Sequence, residues 1–235
     1  MSTERKKSRR ENPLVSLAVN IVIPVIILVR FSGEDQLGPV NGLLVALAFP
    51  VGYGLYDFIV RRGFNPYSML GFASVLLTGG IGLLKLPVEW LAIKEAAIPF
   101  IICVAVVVSM RTPYPLVKTI MHKVINVERV YEALERRQSV EAYERRVTAA
   151  TYMIAFGLLV STVLNYVLAR VVVVSEPGTT AFNEELGRMT ALSFPVITVP
   201  SITILGIALY YLGSGITKET GLEFQDIFKT TGDDE

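Results

Sequence analysis

Residues Leu91–Met110 read LAIKEAAIPFIICVAVVVSM, twenty positions of which only Lys94 and Glu95 carry charge. About 20 apolar residues in an α-helix span the roughly 30 Å hydrocarbon core of a bilayer. Five more segments read the same way: Pro13–Phe31, Gly38–Val60, Tyr67–Leu86, Val147–Val172 and Leu192–Ile216. The sequence therefore predicts an all-α membrane protein with six transmembrane helices.

Composition agrees. Of 235 residues 52% are hydrophobic and only 18% charged, against about 25% charged in soluble domains. That excludes an ordinary cytosolic enzyme and a disordered chain. Cys103 is the only cysteine, so no disulfide framework exists, and it reads as a small lipid- or core-facing side chain. The first apolar run outlasts a signal-peptide core and no A-x-A-like site comes after it, so it reads as an uncleaved span.

Charge placement orients the spans. Seventeen of the 22 Lys and Arg residues fall in the N-terminus, the loop between spans 2 and 3, the connection between spans 4 and 5, and the tail. By the positive-inside rule both termini are cytoplasmic. The chain divides into a basic N-terminus (1–12), spans 1–4 (13–110), a cytoplasmic connection (111–146), spans 5 and 6 (147–216) and an acidic tail (217–235). Trp90 sits where an outer-interface aromatic anchor belongs.

The connection is polar and helical in pattern. Pro113 and Pro115 end span 4, and Leu116, Val117, Ile120, Met121, Val124 and Ile125 form an apolar stripe. Asn126 is placed to cap a second helix carrying Val127, Val130, Tyr131 and Leu134 on one face. Ser139 is placed to cap a third segment entering span 5. A helical hairpin on the membrane surface and a solvated spacer both fit.

Two short runs match across the chain: Ile23–Val29 (IPVIILV) with Ile98–Val104 (IPFIICV), and Gly42–Val45 with Gly157–Val160, both GLLV. Each proline has a polar residue four positions earlier, Asn20 and Glu95. Spans three apart run in opposite directions, so the pattern would make an inverted 3+3 repeat, a transporter feature. Chance matching among abundant Ile, Leu and Val explains it equally.

Few polar residues lie in or near the spans. Asn20, Arg30, Asn41, Glu95 and Asn165 form the candidate intramembrane polar site, since ionisable groups in a bilayer are costly and often functional. Arg30 and Glu95 fall near the same face, where a pair between them would offset desolvation. Asp57 and Arg61, four apart on one helix, read as an interfacial salt bridge. Pro24, Pro50, Pro99, Pro195 and Pro200 each remove a backbone bond and are candidate helix hinges, as packing kinks or cavity-lining joints. The glycines of Thr78–Gly82 (TGGIG) suit close helix packing.

Parts for chemistry are missing from the sequence. His122 is the only histidine, so no metal site is visible, and neither GxxxxGK nor GxSxG occurs. No catalytic residue, metal or cofactor is expected. Nucleic-acid binding has no support beyond basic runs that topology explains. An intramembrane enzyme on Asp57, Lys94 or Glu95 is a minor alternative.

The runs LVALAFPVGYGLYDFIVRR (Leu44–Arg62), SMLGFASVLLTGGIGLL (Ser68–Leu84) and WLAIKEAAIPFII (Trp90–Ile102) resemble a family of small bacterial multi-spanning proteins grouped with intracellular septation protein A. So do STVLNYVLARVVV (Ser161–Val173), FNEELGRMTALSFPVITVPS (Phe182–Ser201) and TGLEFQDIF (Thr220–Phe228). The resemblance implies an inner-membrane protein supporting septation or envelope synthesis through partner proteins. It carries no catalytic residue, and some members of the family are labelled transporters. The long connection departs from the shorter septation-protein pattern. The expectation is either a non-enzymatic division or envelope-assembly factor, or a small secondary transporter or exporter with a site near the membrane midplane. The bilayer is a partner in both, other envelope proteins in the first, and a monomer and a dimer both fit the glycine-bearing faces.

Overall fold

Proline sets the local geometry of the first and last apolar helices. The computed structural model describes residues 13–61, 66–223 and 227, and every element among them is helical. The chain opens with α1 (Pro13–Leu17), a π-helical turn (Ala18–Val22) and α2 (Ile23–Arg30). Pro24 lacks an N–H, and in an α-helix its ring would crowd the carbonyl of Asn20. The widened turn, in which the Ile23 amide reaches back to the Ala18 carbonyl, removes that conflict. The last apolar helix repeats the device. There α9 (Thr180–Ser193), a π turn (Phe194–Thr198) and α10 (Val199–Thr220) form one continuous helix. Pro200 comes after its turn at the same spacing as Pro24 comes after the first, and Pro195 lies within the turn. Pro50 and Pro99 stand inside uninterrupted α-helices.

Between them run α3 (Gly38–Arg61), α4 (Pro66–Leu83), α5 (Glu89–Ser109), α6 (Leu116–Val124), α7 (Val127–Arg136) and α8 (Val140–Val172). Among the described residues four helices are long and apolar enough to cross a membrane: Gly38–Tyr56, Glu89–Ser109, Val140–Val172 and Thr180–Thr220. Two shorter apolar helices, Val15–Arg30 and Ala73–Leu83, fall where the sequence places spans 1 and 3.

Two boundaries differ from the apolar runs. The helix expected over Leu192–Ile216 begins at Thr180, because its first turns are amphipathic rather than apolar: Phe182, Asn183, Leu186 and Met189 are buried while Arg188 is exposed. Helix α8 begins at Val140, seven residues before the apolar run. Its 33 residues measure about 50 Å at 1.5 Å per residue, well beyond the roughly 30 Å hydrocarbon core. The surplus carries Glu141, Glu144, Arg145 and Arg146.

The chain forms two compact units. Unit 1 holds residues up to Lys94 together with Val167–Ser193. Within it α2 packs on α3 and α9, and α3 on α4. Small residues permit these approaches: a Cβ on Gly187 of α9 would lie 2.6 Å from a methyl of Val29, and one on Gly79 would lie 2.7 Å from Leu47. Unit 2 holds Glu95–Tyr166 and the chain from Phe194 onward. Its core gathers Val106 of α5, Val117 and Met121 of α6, Val130 and Leu134 of α7, Tyr143 and Val147 of α8, Leu212 and Ile216 of α10, and Ile227. The connection is thus a folded helical platform with an apolar interior.

Candidate functional site

Within unit 2 the platform is fixed at its corners by polar contacts. Asn126 caps α7 as its position suggests, its Oδ1 accepting the Arg129 amide at 3.2 Å. Its own backbone amide donates to the Ile227 carbonyl at 2.9 Å. Helix α7 closes with the Ser139 amide donating to the Leu134 carbonyl at 3.0 Å, while Gln138 adopts a left-handed φ of 52°. Ser139 does not cap α8 with its side chain. Its hydroxyl donates to the Glu219 carbonyl at 3.0 Å, which ties the turn to the end of α10.

Glu144, on the surplus length of α8, receives both Lys118 and Tyr131. The Lys118 ammonium pairs with one carboxylate oxygen, and the Tyr131 hydroxyl donates to the other at 2.9 Å. Burial, reinforced by the Glu144 charge, pushes the Tyr131 phenol up to about 12. The rings of Tyr131 and Tyr143 meet edge to face at 5.7 Å, a favoured aromatic geometry. Near the next turn, Arg146 pairs with Glu219 at 3.4 Å, both largely shielded, and its guanidinium lies 5.3 Å from the Tyr211 ring centroid. The opposite face of α7 presents Glu128, Arg129, Glu132, Glu135 and Arg136, all exposed. The platform therefore has an apolar, polar-bolted inside and a charged outside.

The intramembrane candidates are arranged differently. The amide of Asn20 donates to the carbonyl and hydroxyl of Ser16, at 2.9 and 3.2 Å. Asn165 does the same with Ser161, at 2.8 and 3.4 Å. Both side chains thus spend their donors on the preceding turn of their own helix. Asn41 is exposed on α3, Arg30 is exposed at the end of α2, and Glu95 is half-buried on α5. Asn20, Arg30 and Asn41 belong to unit 1, Glu95 and Asn165 to unit 2. The side chains of Asp57 and Arg61 lie outside the described residues. Cys103 faces protein: its Sγ donates to the Ala155 carbonyl at 3.3 Å. Trp90 is exposed in the first turn of α5.

No family model, curated protein or solved structure matches the chain.

Two polar clusters escape the sequence reading. The Lys94 ammonium donates to the hydroxyls of Thr78 and Ser74, at 2.8 and 3.1 Å. These oxygens, four residues apart on one face of α4, replace part of the water that the charge gives up. The only prior signal is that spacing. In the second cluster Asn183 is fully buried, and its amide donates to the Ser32 hydroxyl at 3.1 Å and the Pro39 carbonyl at 2.7 Å. The Thr180 hydroxyl adds a bond to the Ser32 carbonyl at 3.0 Å. Together they bind the loop between α2 and α3 to α9. Asn183 lies at helical spacing among Phe182, Leu186 and Met189, which is the pattern of an inward-facing polar residue.

Proposed function

We propose that this chain is a multi-pass inner-membrane protein with six spans and both termini cytoplasmic, acting through protein partners as a non-enzymatic factor in division or envelope assembly. The observation that carries the partner-binding part is the platform. The segment between α5 and α8 is folded around an apolar core and held by buried or half-buried polar contacts, while α7 presents an unbroken charged face. A tether between spans has no need of that order. Exposed charged faces of this kind suit reversible, orientation-specific contact with another protein. The division or envelope setting rests on the sequence resemblance alone. The test is a photoreactive residue at Glu132 in living cells. A discrete adduct with another protein, lost when Arg129 and Arg136 are both changed to Glu, supports the reading, and absence of any adduct on α7 opposes it.

A second reading, a small transporter, draws on the π turns preceding Pro24 and Pro200, although Pro99, which the inverted 3+3 repeat would pair with Pro24, stands in an uninterrupted α-helix. Such turns often mark functional positions, and interrupted helices line sites in transporters. Against it, Asn20 and Asn165 are committed to their own helices. Transport that survives Glu95→Gln unchanged would remove proton or ion coupling through that carboxylate.

A further inference from the structure

We infer that α6 lies in the headgroup layer of the leaflet through which α5 exits, its outer stripe against acyl chains and Arg111 and Lys123 on anionic phospholipid phosphates. Helix α6 carries two apolar stripes. Val117 and Met121 point into the platform core. Leu116, Ile120 and Val124, each four residues apart, point out, and Ile120 is 62% exposed. Tyr114, just before the helix, is 78% exposed. The nine residues of α6 are far too few to cross a bilayer, so the outer stripe is not a lipid-crossing surface.

Its position identifies what covers it. Helix α5 has 21 residues, about 31 Å at 1.5 Å per residue, which matches the hydrocarbon thickness and puts Ser109 at the membrane boundary. The Ser109 hydroxyl donates to the Val106 carbonyl at 2.7 Å and accepts the Leu116 amide at 3.0 Å. The first residue of α6 is therefore bonded to the last residue of the crossing helix, and the outer stripe starts at the bilayer surface. The charge fits the same occupant. No carboxylate occurs between Glu95 and Glu128, while Arg111, in the turn before α6, and Lys123, next to Val124 on the helix, are exposed. An apolar stripe edged by cations is how interfacial helices engage anionic leaflets, and a lysine at the edge extends its stem along the apolar surface to reach phosphate.

The experiment uses the full chain with Cys103→Ala and a single cysteine in place of Ile120 or, as the aqueous control, Glu132. Each is labelled with an environment-sensitive fluorophore and held in nanodiscs of phosphatidylcholine with or without phosphatidylglycerol. With phosphatidylglycerol, the Ile120 label is expected to be blue-shifted, quenched by bromine-bearing acyl chains and several-fold less accessible to iodide than the Glu132 label. Omitting phosphatidylglycerol, or adding Arg111→Glu with Lys123→Glu, moves it towards iodide accessibility while helicity by circular dichroism is retained. Iodide quenching equal to the control overturns the proposal, because the stripe is then in water. Shielding from both quenchers overturns it in favour of a second copy on that face. Bromolipid quenching that is indifferent to phosphatidylglycerol and to the two charge reversals overturns the phosphate contact.

Discussion

Asn126 donates its backbone amide to the carbonyl of Ile227, at 2.9 Å, although the two residues are far apart in sequence. The same Asn126 caps α7 with its side chain, so one residue holds both the start of that helix and Ile227. Ile227 is 1% exposed within the platform core. Replacing Ile227 by Ala empties part of a filled site and is expected to destabilise the platform by about 2–4 kcal/mol. The effect should appear in limited proteolysis, with cleavage between α6 and α8 preceding any loss of the remaining helices.

Arg146 and Glu219 join α8 to α10 where both side chains are mostly shielded. Glu219→Gln keeps the shape and removes the charge that balances Arg146, at a cost of about 1–2 kcal/mol. Arg146→Lys is expected to recover little, because an ammonium reproduces neither the planar fork nor the stacking on Tyr211. Thermal unfolding of both variants in detergent is the measurement.

Asn183 holds the loop between α2 and α3 through two donated bonds. Asn183→Ala leaves the Pro39 carbonyl and the Ser32 hydroxyl without that donor and opens a small cavity, which costs about 1–3 kcal/mol. Asn183→Asp is expected to be worse, since it sets a carboxylate against a carbonyl. Hydrogen exchange should rise first at Phe31–Leu37.

Gln138 occupies a left-handed conformation that strains a residue with a Cβ. Gln138→Gly is expected to stabilise the platform by about 1 kcal/mol, read as a higher midpoint in the same proteolysis or thermal assay.

Tyr131 titrates late because it is buried against Glu144. Its phenol stays protonated in the folded platform up to about pH 12, whereas in an unfolded chain it ionises near pH 10. Between those values the unfolded state binds fewer protons, so stability falls as pH rises through the window. Ultraviolet titration of tyrosinate should show this group ionising late, and Tyr131→Phe should remove its contribution.

Apolar run length anticipates the four helices that are long and apolar enough to cross a membrane, because that property is one of composition, and Asn126 is legible as a cap because capping is local. The same reasoning does not choose between a solvated and a folded connection. The stripe from Leu116 to Ile125 announces that something is covered without naming what covers it. Only the fold divides that stripe into inward Val117 and Met121 and outward Leu116, Ile120 and Val124. Partners such as Arg146 and Glu219, or Ser32 and Asn183, lie far apart in sequence and leave no mark on each other's neighbourhood. Ser139 has the look of a cap because a helical pattern begins directly after it, whereas its hydroxyl answers to Glu219. The start of the last helix at Thr180 is hidden because an amphipathic turn that packs on protein carries too many polar residues to extend an apolar run.

The central claim is that the charged face of α7 meets another protein. In-cell photocrosslinking from Glu132, with Ile101 on the exposed apolar face of α5 as the lipid-facing control, tests it most directly. A protein adduct of defined mass at Glu132 that disappears with Arg129→Glu and Arg136→Glu, and only lipid adducts at Ile101, is the expected result. A Glu132 probe that captures no protein while the platform remains protease-resistant would contradict it.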